Sequence, residues 1–142
     1  MNNIGYLLIK ITKQLRYELN QKLQSQDITI QQWSVIQQIN LWITIHQTGP
    51  TANALCQILD MDKPTMSGII QRLVKKKLIY KEPNPNDQRS QLLGLTAIGE
   101  TALTAGEQTS DQLLNQYLTV LTPDEQKKLQ ELLIKLNGEI KS

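Results

Sequence analysis

Residues 55–96 read LCQILDMDKPTMSGIIQRLVKKKLIYKEPNPNDQRSQLLGLT, and the order of features in this stretch decides the fold. Leu55, Ile58 and Leu59 give a short apolar helical face that ends in the turn Asp60-Met61-Asp62. Asp62 can cap a following helix. Pro64 is tolerated in that helix's first turn because its missing N–H would lack an intrahelical partner anyway. Met66, Ile69, Ile70, Leu73 and Val74 then fall on one helical face at ~100° per residue. Two extended runs, Leu78 to Glu82 and Leu92 to Leu95, flank the tip Pro83-Asn84-Pro85-Asn86-Asp87-Gln88-Arg89 and pair as a short hairpin. Pro83 and Pro85 are acceptable there because a tip needs no sheet hydrogen bonds. Helix, turn, helix and hairpin together are the layout of a winged helix.

Charge sets the same stretch apart. From Asp60 to Gln91 there are seven Lys/Arg (Lys63, Arg72, Lys75, Lys76, Lys77, Lys81, Arg89) against four acids (Asp60, Asp62, Glu82, Asp87), a local excess of +3, whereas the whole chain carries only +2. Everything outside the window therefore sums to −1. Because the mean basicity is mild, any nucleic-acid reading rests on where the charges lie.

Outward from the core stretch, Leu8, Ile11, Leu15, Leu19 and Leu23 stripe a first helix expected to end near Gln26. Thr29 and Gln32 form a capping box immediately before Trp33, Ile36, Ile39 and Ile43, so a second helix starts at about Ile30 and runs as far as Gln47, before Gly49-Pro50. Thr51 is the cap candidate for the third helix. Beyond the hairpin, Thr96 caps a long helix expected to reach about Leu121. Thr122-Pro123-Asp124-Glu125 restarts a last one, striped by Leu129, Leu132, Leu133, Leu136 and Ile140.

At 142 residues, with 20% charged and 39% hydrophobic residues, the chain has the size and composition of one folded domain. One cysteine and one histidine supply neither a disulfide nor a zinc-ligand set, so no metal or cofactor is expected. The start Met1-Asn2-Asn3-Ile4 lacks a signal-peptide pattern, and Lys10 interrupts the Ile4 to Ile11 apolar run, so no membrane span is expected. A cytoplasmic location follows from these expectations. An enzyme fails on inventory: there is no Gly-rich phosphate loop, metal set or nucleophile–base pairing around His46.

On the second helix of the core stretch, Gly68, Gln71, Arg72 and Lys75 lie opposite the apolar face. Such a face suits major-groove reading, since Gln pairs bidentately with adenine and Arg with guanine. Gly68 allows close approach of the backbone. Thr65 and Ser67, near the N-terminus, can bond phosphate oxygens with help from the helix dipole. Taken alone, a charged helix face is more often a solvent face. Arg89 at the hairpin tip is suited to the minor groove, with Asp87 placed to orient it. By itself that pair is more often a surface ion pair on an exposed loop, worth ~0 to 1 kcal/mol. The order of the features favours the DNA reading over both alternatives.

These residues resemble the MarR family of bacterial transcriptional regulators. The likeness is carried by Ala54 to Leu59, Pro64 to Val74, Leu78-Ile79, Asp87-Gln88-Arg89-Ser90 and Leu95-Thr96-Ala97-Ile98-Gly99. It implies a mainly α fold with a small β wing: a single domain over 1–142, a winged helix-turn-helix over 30–96, and dimerisation helices over 1–28 and 97–142. It further implies a homodimer acting as a ligand-responsive repressor on a pseudo-palindromic operator in double-stranded DNA. The family pattern assigns Thr65, Ser67, Gln71 and Arg72 to the recognition helix and Asp87 and Arg89 to the wing; Gly68, Lys75 and Lys81 join them as DNA-binding candidates.

Three departures from the pattern stand out. Lys77 occupies the position usual for Gly before the Leu-Ile strand, so either the turn is built differently or Lys77 adopts a positive φ. Lys81 replaces an arginine, keeping charge but losing bidentate geometry. The second helix is extended by Asn40-Leu41-Trp42-Ile43-Thr44.

Relatives of this kind bind small aromatic or phenolic effectors. With no Phe in the chain, Tyr6, Tyr17, Trp33, Trp42 and His46 are the conspicuous residues, and Tyr17, Trp33, Trp42 and His46 are the ligand-binding candidates. For Trp33 the competing role is a core anchor. Cys56, among Leu55, Ile58 and Leu59, is expected to be a buried small hydrophobe and not a sensor. The rival from another class is a helical adaptor that keeps the fold without binding an operator.

Overall fold

The computed structural model describes residues 3–141; Met1, Asn2, Ser142 and the side chains of Glu139, Ile140 and Lys141 lie outside the described residues. The elements are α1 (Ile4–Gln24), α2 (Ile30–His46), α3 (Ala52–Leu59), α4 (Lys63–Lys75), β1 (Ile79–Pro83), β2 (Gln91–Leu95), α5 (Ala97–Leu118) and α6 (Pro123–Lys141). This is a mainly helical fold with one two-stranded antiparallel sheet. Contacts divide the chain at Thr109/Ser110 into two compact units.

In the first unit the helix starts are written in side-chain caps. The Gln32 backbone N–H donates to Thr29 Oγ1 at 3.0 Å and the Thr29 N–H to Gln32 Oε1 at 3.3 Å, closing the expected capping box. Ala54 N–H donates to Thr51 Oγ1 at 3.1 Å, and Thr65 N–H to Asp62 Oδ1 at 2.7 Å. Each such cap satisfies an otherwise orphaned donor. The Thr65 backbone bond holds the Asp62 carboxyl below its ordinary value of 3.8. A carboxyl whose folded pKa is depressed adds stability above its unfolded pKa and loses it as pH falls through the folded value. The stability difference between the native chain and Asp62→Asn is therefore expected to narrow from pH 7 to about pH 2. Urea unfolding midpoints at the two pH values check this, and a gap that does not change with pH refutes it.

The core of this unit collects Leu23, Ile28, Val35, Ile36, Ile39, Leu55, Met66, Leu73, Ile79 and Leu93, all buried. Trp33 is buried at the base of α2, its Nε1 directed at the Leu103 carbonyl 3.4 Å away. Gly106 lets α5 approach the indole, since a Cβ there would overlap Nε1. The strands pair from Ile79↔Leu95 to Pro83↔Gln91. Pro83, expected in the tip, is thus the last residue of β1, an end position where its missing N–H is tolerated. The Leu93 N–H donates to the Pro50 carbonyl at 2.9 Å, which ties the segment before α3 to β2.

The structure departs from the sequence pattern at Val74, along α1 and at Cys56. Val74 is 37% exposed and not part of the buried face of α4, because the apolar arc narrows to Met66, Ile69, Ile70 and Leu73. The α1 stripe is buried only at Leu19 and Leu23, whereas Leu8 and Ile11 are exposed. Cys56 is half-exposed, because α3 turns that side toward a cleft.

In the second unit the Thr122 N–H donates to Glu125 Oε1 at 2.9 Å and the Glu125 N–H to Thr122 Oγ1 at 3.2 Å, the reciprocal box expected at the start of α6. Gln126 Nε2 closes the turn by donating to the carbonyls of Leu118 and Leu121. Along α6, Leu129, Leu132, Leu133 and Leu136 remain exposed.

Candidate nucleic-acid interface

α3 and α4 are joined by a two-sided turn. Asp60 ends α3 in the left-handed region at φ 52°, with the Met61 N–H returning to the Cys56 carbonyl at 3.0 Å, and Asp62 opens α4 two residues later. α4 then buries Met66, Ile69, Ile70 and Leu73 and leaves Thr65, Ser67, Gln71, Arg72 and Lys75 exposed. Gly68 lies on the outer side of the helix, where an added Cβ would meet nothing within 4 Å beyond its chain neighbours and the local helix backbone. Glycine in a helix interior costs roughly 0.5–1 kcal/mol relative to alanine, and nothing within the fold offsets that here.

The joint between α4 and the wing resolves the question at Lys77. Lys77 takes φ 63°, its N–H donates to the Val74 carbonyl at 2.9 Å, and the Leu78 N–H reaches back to the Leu73 carbonyl at 3.0 Å. This is a Schellman turn with a lysine where glycine is favoured, a strain of about 1 kcal/mol. The three consecutive lysines consequently diverge. Lys75 and Lys77 are exposed, while Lys76 Nζ turns inward to the Asp27 carbonyl at 2.6 Å and to buried Gln32 Oε1 at 3.1 Å. Lys76 thereby pins the end of α4 to the α1–α2 corner, a role that a run of like charges in the sequence conceals.

The wing tip is a closed set of local hydrogen bonds. Asn86 N–H donates to Asn84 Oδ1 at 3.0 Å, Asn84 Nδ2 to Ser90 Oγ at 2.9 Å, and Ser90 N–H to the Asp87 carbonyl at 3.2 Å. Asp87 Oδ1 accepts both the Arg89 backbone N–H at 3.0 Å and Arg89 Nε at 3.3 Å. The Arg89 side chain is 93% exposed, so it is held at its base and free at its end.

Between α3, the start of α4 and the wing lies a cleft of about 310 Å3 whose lining carries Lys63, Lys81 and Arg89 with no carboxylate. Thr51, Asn53, Ser67, Ser90 and Gln91 supply polar groups, and Cys56, Met66, Ile70 and Leu93 form the apolar floor. The structure thus brings Ser67, Lys81 and Arg89 together across three elements. Asn53 carries no signal in the sequence, and Lys63 shows there only as one of the seven basic residues of the window, in the first turn of the helix that Asp62 caps.

The aromatic candidates stand on two helices, Tyr17 on α1 and Trp33, Trp42 and His46 on α2. Trp42 and His46 stack with ring centroids 4.0 Å apart, and His46 Nδ1 lies 3.1 Å from the Trp42 carbonyl. Trp33 sits nine residues earlier on α2, ~13 Å along the axis at 1.5 Å per residue, and is enclosed by its own chain. Tyr17 is exposed on α1.

Comparison with known proteins gives one consistent answer. The family model described as MarR family matches residues 26–90. The chain is 33% identical over 134 residues to the multiple antibiotic resistance protein MarR of Escherichia coli (strain K12), covering 94% of this chain and 90% of that protein. It is 30% identical to the HTH-type transcriptional regulator FarR of Neisseria gonorrhoeae, covering 94% and 87%. Among solved structures, wild-type MarR (apo form) from E. coli superposes with a TM-score of 0.85 at 29% identity over 96% of this chain and 97% of that one. The MepR–DNA complex of S. aureus does so with a TM-score of 0.77 at 26% identity over 98% and 99%. A mutant of E. coli MarR complexed with operator DNA gives 0.75 at 32% identity over 94% and 92%. Fold, capped helix-turn-helix, wing and relatives agree, and the chain belongs to the MarR family.

Proposed function

We propose that this chain is a sequence-specific DNA-binding transcriptional regulator that works as a homodimer and represses from a pseudo-palindromic operator. The observation that carries the reading is the cation-lined cleft between α3, α4 and the wing, next to an exposed polar face on α4. In this reading Gln71 and Arg72 meet base edges, Thr65, Ser67, Lys75 and Lys81 meet phosphates, and Arg89, aimed by Asp87, enters the minor groove. The operator-DNA complex of MarR and the DNA complex of MepR support the same use of the same fold.

Dimerisation is supported by exposed apolar faces: Leu7, Leu8 and Ile11 on α1, and Leu129, Leu132, Leu133 and Leu136 on α6. Exposed leucine and isoleucine stripes of this length mark association surfaces. Responsiveness to a small aromatic or phenolic effector belongs to the proposal through the family likeness. Among the described residues no helix is long and apolar enough to cross a membrane, and a DNA-bound regulator acts in the cytoplasm.

The test is selection of duplexes from a random-sequence pool by the purified protein, followed by titration of the enriched duplex at several salt concentrations. Phosphate contacts predict a steep fall of log K with log salt, with a slope of about −0.9 per phosphate neutralised. An unenriched pool with a flat salt dependence returns the chain to the adaptor reading.

A further inference from the structure

We infer that Gly68 is a specificity-determining residue: its missing Cβ makes room for a thymine methyl group in the major groove, at the point where α4 approaches the bases most closely. This rests on the DNA-binding reading above. Three observations carry it. The site of the missing Cβ is open, with no atom within 4 Å beyond its chain neighbours and the local helix backbone, so packing does not require glycine. Gly68 takes no positive φ, so the backbone does not require it either. It stands one helical turn before Gln71 and Arg72 and in the N-terminal half of α4, the part of a recognition helix that meets base edges. A residue that weakens its own helix, with no return from fold or backbone, is explained by something outside the chain.

Chemistry narrows what that is. The polar groups of base edges in the major groove are nitrogens and oxygens that glycine cannot read by side chain, and the one projecting carbon group is the 5-methyl of thymine. A bare Cα lets this methyl lie against the helix while the flanking Gln71 and Arg72 stay within reach of their bases. Gly5 and Gly138 also have open Cβ positions, but they lie on α1 and α6, the helices whose apolar faces are left for a second copy.

The experiment uses Gly68→Ala in the full chain and a duplex enriched from a random pool by the wild-type protein. The variant is expected to raise the thermal midpoint by about 2–4 °C, because alanine is the better helix former, and to bind the enriched duplex at least tenfold more weakly. Binding to a scrambled duplex is expected to be unchanged. Replacing one thymine per half-site by uracil, which lacks the methyl, is expected to restore the variant to within about threefold of wild type, because the alanine methyl then fills the vacated space. A variant that is less stable overturns the inference by showing an intramolecular need for glycine. Unchanged affinity for the enriched duplex, equal losses on both duplexes, or no rescue by uracil at any position also overturns it. If the wild-type protein enriches no sequence, the DNA-binding reading itself falls, and that result is distinct because it is obtained before the variant is made.

Discussion

Gly99→Ala is expected to lower the thermal midpoint by about 5–10 °C and to abolish operator binding at temperatures the wild-type chain tolerates. A Cβ at position 99 would overlap the Leu78 carbonyl oxygen. That oxygen cannot move aside on its own. It accepts the Thr96 N–H at 3.1 Å and the Thr96 Oγ1 hydroxyl at 3.1 Å, while the Leu78 N–H is fixed to the Leu73 carbonyl at 3.0 Å. Thr96 Oγ1 also donates to the Lys77 carbonyl at 2.6 Å and accepts the Gly99 N–H at 3.0 Å. One threonine and one glycine thus bolt together the end of α4, the start of the wing and the first turn of α5. Inserting a methyl into a backbone contact costs about 1–3 kcal/mol, at the upper end where both sides are hydrogen-bonded. Because the joint sets the angle between recognition helix and wing, the loss falls on DNA binding as well as on stability. Thermal unfolding followed by circular dichroism decides the matter, and a midpoint within about a degree of wild type refutes the account.

The same joint shows how much the sequence discloses. Leu95-Thr96-Ala97-Ile98-Gly99 is legible as a motif, and Thr96 is legible as a helix cap, because a cap uses residues adjacent in the chain. That Thr96 also holds Lys77 and Leu78, nearly twenty positions earlier, is not legible, because only the folded hairpin brings them together. The capping boxes at Thr29 and Thr122 are legible for the same reason of locality. Lys76 is the counter-example. In the sequence it is the middle of a basic run and counts toward a DNA-facing charge, but its partners, Asp27 and Gln32, lie more than forty residues away. Val74 fails differently: helical spacing marks it as apolar-faced, but the arc that the core covers is narrower than the arc the sequence offers. Local chemistry is readable, and the extent of burial is not.

Arg89→Ala is expected to weaken binding to the enriched duplex by about 10- to 100-fold, the equivalent of ~1–3 kcal/mol, with the dimer and its thermal midpoint unchanged. The two halves of this expectation come from one geometry. The side chain is 93% exposed and its ion pair with Asp87, at 3.3 Å through Nε, is a surface pair that contributes at most ~1 kcal/mol to folding. Removing it leaves no buried charge behind. Nε and the backbone N–H are both engaged by Asp87 Oδ1, which fixes the base of the side chain while the terminal nitrogens have no hydrogen-bond partner among the described residues. An arginine so held presents its charged end outward at little conformational cost, since much of its freedom is already lost before DNA arrives. The negative potential of a narrow groove supplies the partner that the chain does not. The salt slope should also become shallower, by about one counterion per protomer where the lost contact is with phosphate. Fluorescence anisotropy at three salt concentrations, with light scattering on the same samples, separates the outcomes. An unchanged affinity removes the wing from the interface, whereas a lost dimer would show that Arg89 acts through the fold and not on DNA.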